Sequence, residues 1–151
     1  MEFGALPKDR HTDPPEAWPP RLARAVRQLR QYFAGERETF DIALDLQGVT
    51  DFQNQVYSQL LAVEYGRVVT YGDLARQVGR PQMARAVGQA VGANPVPIVV
   101  PCHRVVAADG KLGGFSGGLP TKVALLRIEG VEVDGNRPTS RVHPEVLRLD
   151  L

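Results

Sequence analysis

Apolar side chains in the first third of the chain fall at Leu22, Ala25, Val26, Leu29, Tyr32 and Phe33, in steps of three and one. That spacing places them on one face of a helix, for which Gly35 offers a stop. The next apolar positions, Phe40, Ile42, Leu44 and Leu46, alternate with the acids Asp41 and Asp45. A period of two predicts a half-buried strand, and one strand is too little for a sheet. The expectation for residues 1–47 is therefore a small, reduced α+β part. Its first twenty residues contain Pro7, Pro14, Pro15, Pro19 and Pro20, which deny a regular hydrogen-bond ladder and predict an irregular arm.

The pattern becomes helical again after Gly48. Thr50 and Gln53 form a weak capping box, followed by a stripe of Phe52, Val56, Tyr57, Leu60 and Leu61. Gly66 turns the chain. Thr70 with Asp73 caps a second helix through "YGDLARQV" to Gly79, and Pro81 suits the first turn of a third, "PQMARAVGQAV", which Gly92 and the Asn94-Pro95 pair end. Two short helices joined by "GR" form a helix-turn-helix pattern, which is also common as a plain packed pair. "PVPIVVP" predicts a buried extended segment and "GGFSGG" a loop of unusual backbone freedom. A last helix is expected from Pro120 or Thr121, with Val123, Leu125, Leu126 and Ile128 for packing and Gly130 as its stop. The fold class is a mainly α C-terminal domain over residues 48–133, with a helix-turn-helix and short β segments. Residues 134–151, with Pro138 and Pro144, read as a tail.

Composition narrows the function classes. The 151 residues carry a net charge of only +1, which excludes a highly basic nucleic-acid coat while leaving local patches open. Such a patch exists: Arg67, Arg76, Arg80, Arg85 and Arg104 stand against the single acid Asp73. All but three of the 18 basic residues are arginine, the side chain best suited to forked contacts with phosphate. No window approaches the roughly 18 apolar residues of a membrane span, and no apolar run follows a basic N-terminal segment. A cytoplasmic location and no membrane partner are expected.

Cys102 is the only cysteine, so it cannot form an internal disulfide, and a free thiol suits a reducing compartment. Among Val99, Val100, Val105 and Val106 it could be a small buried hydrophobe. With His103 beside it, it could instead be a nucleophile, although adjacent residues need not point at each other. His11, His103 and His143 lie far apart, so no metal-ligand spacing is present.

From about Thr50 to Gly130 the chain resembles the C-terminal domain of the O6-alkylguanine-DNA alkyltransferases. The resemblance runs through "FQNQVYSQLL", "YGRVVTYGDLARQVG", "ARAVGQAVGANPVPIVVPCHRVVAADGKLGGFSGGL" and "KVALLRIEG". Before it, only "LRQYFAGERETFDIALDL" is similar. These proteins repair alkylated guanine in duplex DNA by moving the alkyl group to a cysteine that is not regenerated. The resemblance implies Cys102 as acceptor, His103 as the base acting through a water, Glu129 as the carboxylate orienting it, and Asn94 as a brace of the cysteine segment. A thiol with a pKa near 8.5 is mostly protonated at neutral pH, so such a base has a clear purpose.

A guanine oxygen inside a duplex is hidden from a compact domain, so the nucleotide must be extruded. By resemblance, Arg85 fills the gap in the stack and Tyr71 rotates the nucleotide and hydrogen-bonds the base. The third helix, with small Ala84, Ala86, Gly88 and Ala90, enters the degenerate minor groove, as a reader indifferent to sequence should. Ala84 and Gly88 are its candidate contacts. Arg104 has a supporting place in the site. Phe115, Ser116 and Gly117 line the alkylguanine pocket. Phe115 stands where a tyrosine is frequent and has no hydroxyl to offer, which shifts recognition towards Ser116 and backbone groups. Tyr57 replaces a frequent tryptophan.

The function implied is stoichiometric transfer from O6-methylguanine to Cys102 by a monomer, with no cofactor and no metal, since the lesion is itself the donor. The alternative is a non-catalytic protein that binds alkylated DNA and recruits other repair factors. Relatives of that kind often carry tryptophan in place of the cysteine, so Cys102 argues against it.

Overall fold

The computed structural model describes residues 17–143. The expected irregular arm up to residue 16, and the end of the tail from Pro144, lie outside the described residues. The chain divides into two units, Met1–Leu44 and Asp45–Leu151.

In the first unit, α1 spans Pro20–Phe33 and begins with proline in its first turn, where the missing N–H costs nothing. Tyr32 packs edge-on against Phe33 at 5.6 Å and tilted against Phe40 at 5.4 Å. Leu22 and Phe33, expected on the inner face, are 49% and 43% exposed. The strand expected over Phe40 to Leu46 does not form, although its apolar positions are less exposed than the acids between them. Its main chain finds a side chain in place of a neighbouring strand: Asp41 N–H donates to Gln28 Oε1 at 2.8 Å, and Gln28 Nε2 donates to the Asp41 carbonyl at 3.1 Å.

In the second unit, α2 covers Asp51–Leu61 behind the expected capping box, with Thr50 Oγ1 accepting from Gln53 N–H at 3.1 Å and Gln53 Oε1 from Thr50 N–H at 2.9 Å. Val56, Tyr57 and Leu60 are fully buried, while Leu61 is 48% exposed. The short strand β1, Val69–Thr70, runs directly into α3, Tyr71–Gln77, because Thr70 is also its N-cap, paired with Asp73 in the second capping box. The third helix starts later than Pro81 predicts. Met83 N–H closes on the Arg80 carbonyl at 2.9 Å, so Pro81 is used as the second residue of a turn, and α4 runs over Ala84–Gly92. The helices α2, α3 and α4 pack on one another, and Tyr57 Oη donates to the Ala90 carbonyl at 2.8 Å, tying α2 to α4.

A 3-10 turn, Cys102–Arg104, leads into β2, Val105–Val106. β2 pairs with β1 in parallel, Val69 opposite Val105 and Thr70 opposite Val106. This two-stranded pair fastens the start of α3 to the segment that follows the cysteine. The last helix, α5, covers Leu119–Ile128 and begins one residue before Pro120, after Gly118 at φ +87°. Val68, Val106, Leu112, Val123, Leu126, Val131 and Val142 form the core beneath it. Val142 changes the reading of residues 134–143 as tail: it is 3% exposed, bridges Val133, and is flanked by the Leu112 N–H to Ser140 carbonyl bond of 2.8 Å.

Candidate functional site

A cavity of about 220 Å³ lies between α3, α4, the cysteine turn and the glycine-rich loop, with Tyr71, Gly88, Cys102, Gly114, Phe115 and Ser116 on its walls. It is smaller than the roughly 300–1,000 Å³ pockets of drug-sized ligands and suits one flat heterocycle. Gly117, expected to line the pocket, is not on its wall and acts through Phe115: a Cβ there would come within 2.9 Å of the Phe115 ring, so a larger residue would displace the ring.

The segment before Cys102 is held by one amide. Asn94 Nδ2 donates to the Val100 carbonyl at 2.8 Å, and Asn94 Oδ1 accepts from Val96 N–H at 3.0 Å. Between these anchors Ile98 adopts φ +75°, a left-handed conformation that a β-branched residue enters only under constraint. The bracing thus places Cys102 at the cavity wall, 4% exposed. Burial pushes its thiol pKa up, opposed by Asn94 and by the positive charge of Lys122. A thiol in this state needs a base.

His103 and Glu129 stand behind it. Glu129 caps α5, which brings its carboxylate within 2.7 Å of His103 Nε2, and both side chains are fully buried. A carboxylate accepts, so Nε2 carries the hydrogen and Nδ1 presents its lone pair. Nδ1 is buried and no described protein group bonds to it. Burial lowers the His103 pKa despite Glu129, so the ring rests neutral. Burial alone would raise the Glu129 pKa, but the hydrogen bonds and charges of His103 and Arg104 outweigh it and bring the carboxyl to about 2.

Arg104 has a larger part than its sequence position implies. It is 6% exposed and forks onto Glu129, Nε to Oε2 at 2.9 Å and Nη2 to Oε1 at 2.8 Å, while Nη1 donates to the Val63 carbonyl at 2.6 Å. Such a bidentate pair fixes the carboxylate's plane as well as its charge. Gly66 completes the enclosure, since it has φ +76° and a Cβ there would sit 3.1 Å from the Glu129 carbonyl oxygen.

The structure gathers Cys102, His103, Glu129, Asn94, Tyr71, Gly88, Phe115 and Ser116 in one place. Arg85 is exposed in the first turn of α4, outside the cavity, with Ala84 partly exposed before it. Sequence reasoning missed Lys122, which is 1% exposed. Its signal was present: Leu119, Lys122, Leu126 and Glu129 repeat at steps of three and four, which puts the lysine on the buried stripe of α5. No group of three or more His, Cys, Asp or Glu side chains able to hold a metal occurs among the described residues. Nor is any described helix long and apolar enough to cross a membrane.

Residues 51–131 match the family described as 6-O-methylguanine DNA methyltransferase, DNA binding domain, and residues 7–46 match its ribonuclease-like domain. A methylated-DNA–protein-cysteine methyltransferase of Mycobacterium tuberculosis is 53% identical over 111 residues, covering 74% of this chain and 67% of that protein. Among solved structures, Mycobacterium tuberculosis OGT in complex with DNA aligns with a TM-score of 0.70 at 54% identity, covering 72% of this chain and 66% of that one. S. pombe Atl1 in complex with damaged DNA containing O6-carboxymethylguanine aligns at 0.57 with 32% identity, covering 66% of this chain and 95% of that one. The chain thus spans about two thirds of the length of the mycobacterial relatives.

Proposed function

Since the chain belongs to the 6-O-methylguanine DNA methyltransferase family, we propose that it repairs duplex DNA by moving the alkyl group of O6-methylguanine onto Cys102, once per molecule. The observation that carries this reading is a thiol on the wall of a base-sized cavity, backed by a neutral imidazole whose tautomer is set by a buried carboxylate. In the proposed step the thiol proton passes to His103 Nδ1 through a water, and the sulfur attacks the alkyl carbon as the carbon–oxygen bond breaks. The electron pair leaves with the guanine oxygen. Tyr71, whose pKa is raised by burial and then by Cys102, stays protonated and donates a hydrogen bond to the departing anion, which takes up the proton that His103 returns through water. Tyr71→Phe should slow transfer without weakening duplex binding; an unchanged rate would remove Tyr71 from this role.

Arg85 fills the space left by the extruded nucleotide, and α4 approaches the minor groove with Ala84 and Gly88. Phe115 provides an apolar wall, Gly117 lets its ring lie there, and Ser116 recognises the guanine edge. The protein acts as a cytoplasmic monomer on DNA, with no cofactor. Purified protein mixed with a slight excess of duplex bearing O6-methylguanine should yield unmodified guanine in amount equal to the protein and then stop. Continued turnover would overturn the stoichiometric mechanism. Tight lesion binding without repair would favour the recruitment reading, which the likeness to Atl1 keeps in view.

A further inference from the structure

The buried polar cluster contains a charge that the proposed step does not use. Lys122, on α5, donates from Nζ to the carbonyl oxygens of Val105 at 2.5 Å and Leu112 at 2.7 Å. Both acceptors are neutral, and among the described residues no carboxylate pairs with it. An ammonium kept from water without an anion is costly, and carbonyl oxygens offset only part of that cost. Around it the other charges balance: the Glu129 carboxylate is matched by the Arg104 guanidinium, and His103 is neutral. The resting site therefore has one uncompensated positive charge.

The missing anion arises when Cys102 gives its proton to His103. Glu129 then pairs with the imidazolium and Arg104, which leaves the thiolate as the anion without a cation and Lys122 as the buried cation without an anion. The attachments of Lys122 fit this pairing. Val105 follows the cysteine turn directly, Leu112 precedes the loop bearing Phe115 and Ser116, and the Phe115 ring centre is 6.0 Å from Nζ. The coupling is mutual: the ammonium draws the Cys102 pKa down, and a thiolate would hold the proton on Lys122, whose pKa burial lowers to about 8.

We propose that Lys122 is a positioning residue acting through Cys102: its ammonium is the counter-charge against which the thiolate forms, fixed to both segments that flank the cavity. The proposal rests on Cys102 being a nucleophile, whatever it attacks. The other titratable groups near the pair are His103, Arg104 and Glu129 behind the turn, with Tyr71 from α3 and Tyr57 from α2 coupled to the thiol.

The test is the rate of Cys102 alkylation by iodoacetamide against pH, in the full-length protein and its Lys122→Met and Lys122→Arg variants. In Lys122→Met the midpoint should rise by about one pH unit, making alkylation at neutral pH about tenfold slower. Lys122→Arg should recover most of that loss, because it restores charge. A folded Lys122→Met protein with the wild-type midpoint, or equal shifts in both variants, would overturn the proposal. Should Lys122→Met fail to fold, the Lys122 Nζ titration followed by nitrogen NMR in Cys102→Asp and Cys102→Ala decides. Coupling is reciprocal, so a fixed anion at position 102 should raise the lysine midpoint above that of Cys102→Ala, and equal midpoints would refute the pairing. Iodoacetamide needs no DNA, so a clear Lys122 effect in a protein without repair activity would defeat the proposed function and leave this assignment standing.

Discussion

The two sides of the cavity are built by opposite rules. Towards α3 and α4 the wall is uncharged, with Tyr71, Gly88, Val91 and Gly92 on it, Ala84 partly exposed and Arg85 outside. Towards α5 the side chains are charged and buried: Arg104 makes three hydrogen bonds, Lys122 two, and Glu129 accepts from both His103 and Arg104. The reacting side is fixed before any ligand arrives. The proposed recognition side instead leaves Arg85 exposed to solvent. Changes on the reacting side should therefore alter stability and chemistry together, whereas changes on the recognition side should alter function alone.

The strongest test of that contrast is Glu129→Gln. It leaves the Arg104 guanidinium buried without its carboxylate, a change that typically costs about 3–5 kcal/mol. Transfer should fall by about 10²–10⁴, the usual contribution of a positioned base. A variant that keeps wild-type stability and rate would break the comparison.

Acid should also act on the reacting side. The folded His103 resists the proton that the unfolded chain accepts below about pH 6.5, so its contribution to stability declines as pH falls through that value. Glu129, held at about 2 against 4.5 unfolded, adds stability that is complete above 4.5 and lost as pH drops towards 2. Both have the same sign. Denaturant midpoints measured from pH 7 to 3 should fall, and Glu129→Gln should flatten the lower limb.

On the recognition side, Arg85→Ala should change stability by no more than about 0.5 kcal/mol, as exposed substitutions do. Extruding a nucleotide costs a few kcal/mol, so losing the side chain that fills the stack should slow transfer from duplex about tenfold and leave transfer from a single strand unchanged. Equal losses on both substrates would remove Arg85 from that role. Ser116→Ala should have the smallest effect, near the 0.5–1.5 kcal/mol of one hydrogen bond, read as a few-fold slower single-turnover transfer. No change would leave recognition to the backbone.

What the sequence made legible was local. Thr50 with Gln53, and Thr70 with Asp73, declared both helix starts because a capping box needs only residues three apart. Pro81 misled because proline serves a turn as well as a helix start, and Phe40 to Leu46 misled because alternation predicts burial while a strand also needs a partner. In the site, "PCHRV" marked Cys102 as the candidate nucleophile through family resemblance alone, and the part of Asn94 became concrete only in its bonds to Val96 and Val100. The roles of Arg104 and Lys122 depend on α5 returning across the cysteine turn: the spacing along α5 signals that Lys122 is buried, but no local pattern announces what it meets in segments some twenty residues away.

The central claim is that Cys102 accepts the alkyl group. Incubation with O6-methylguanine duplex, followed by intact-protein mass measurement and peptide mapping, tests it most directly. One methyl group in place of the Cys102 thiol hydrogen, absent from Cys102→Ala, is the predicted result. Repaired DNA with unmodified protein, or a methyl group on another residue, would contradict it.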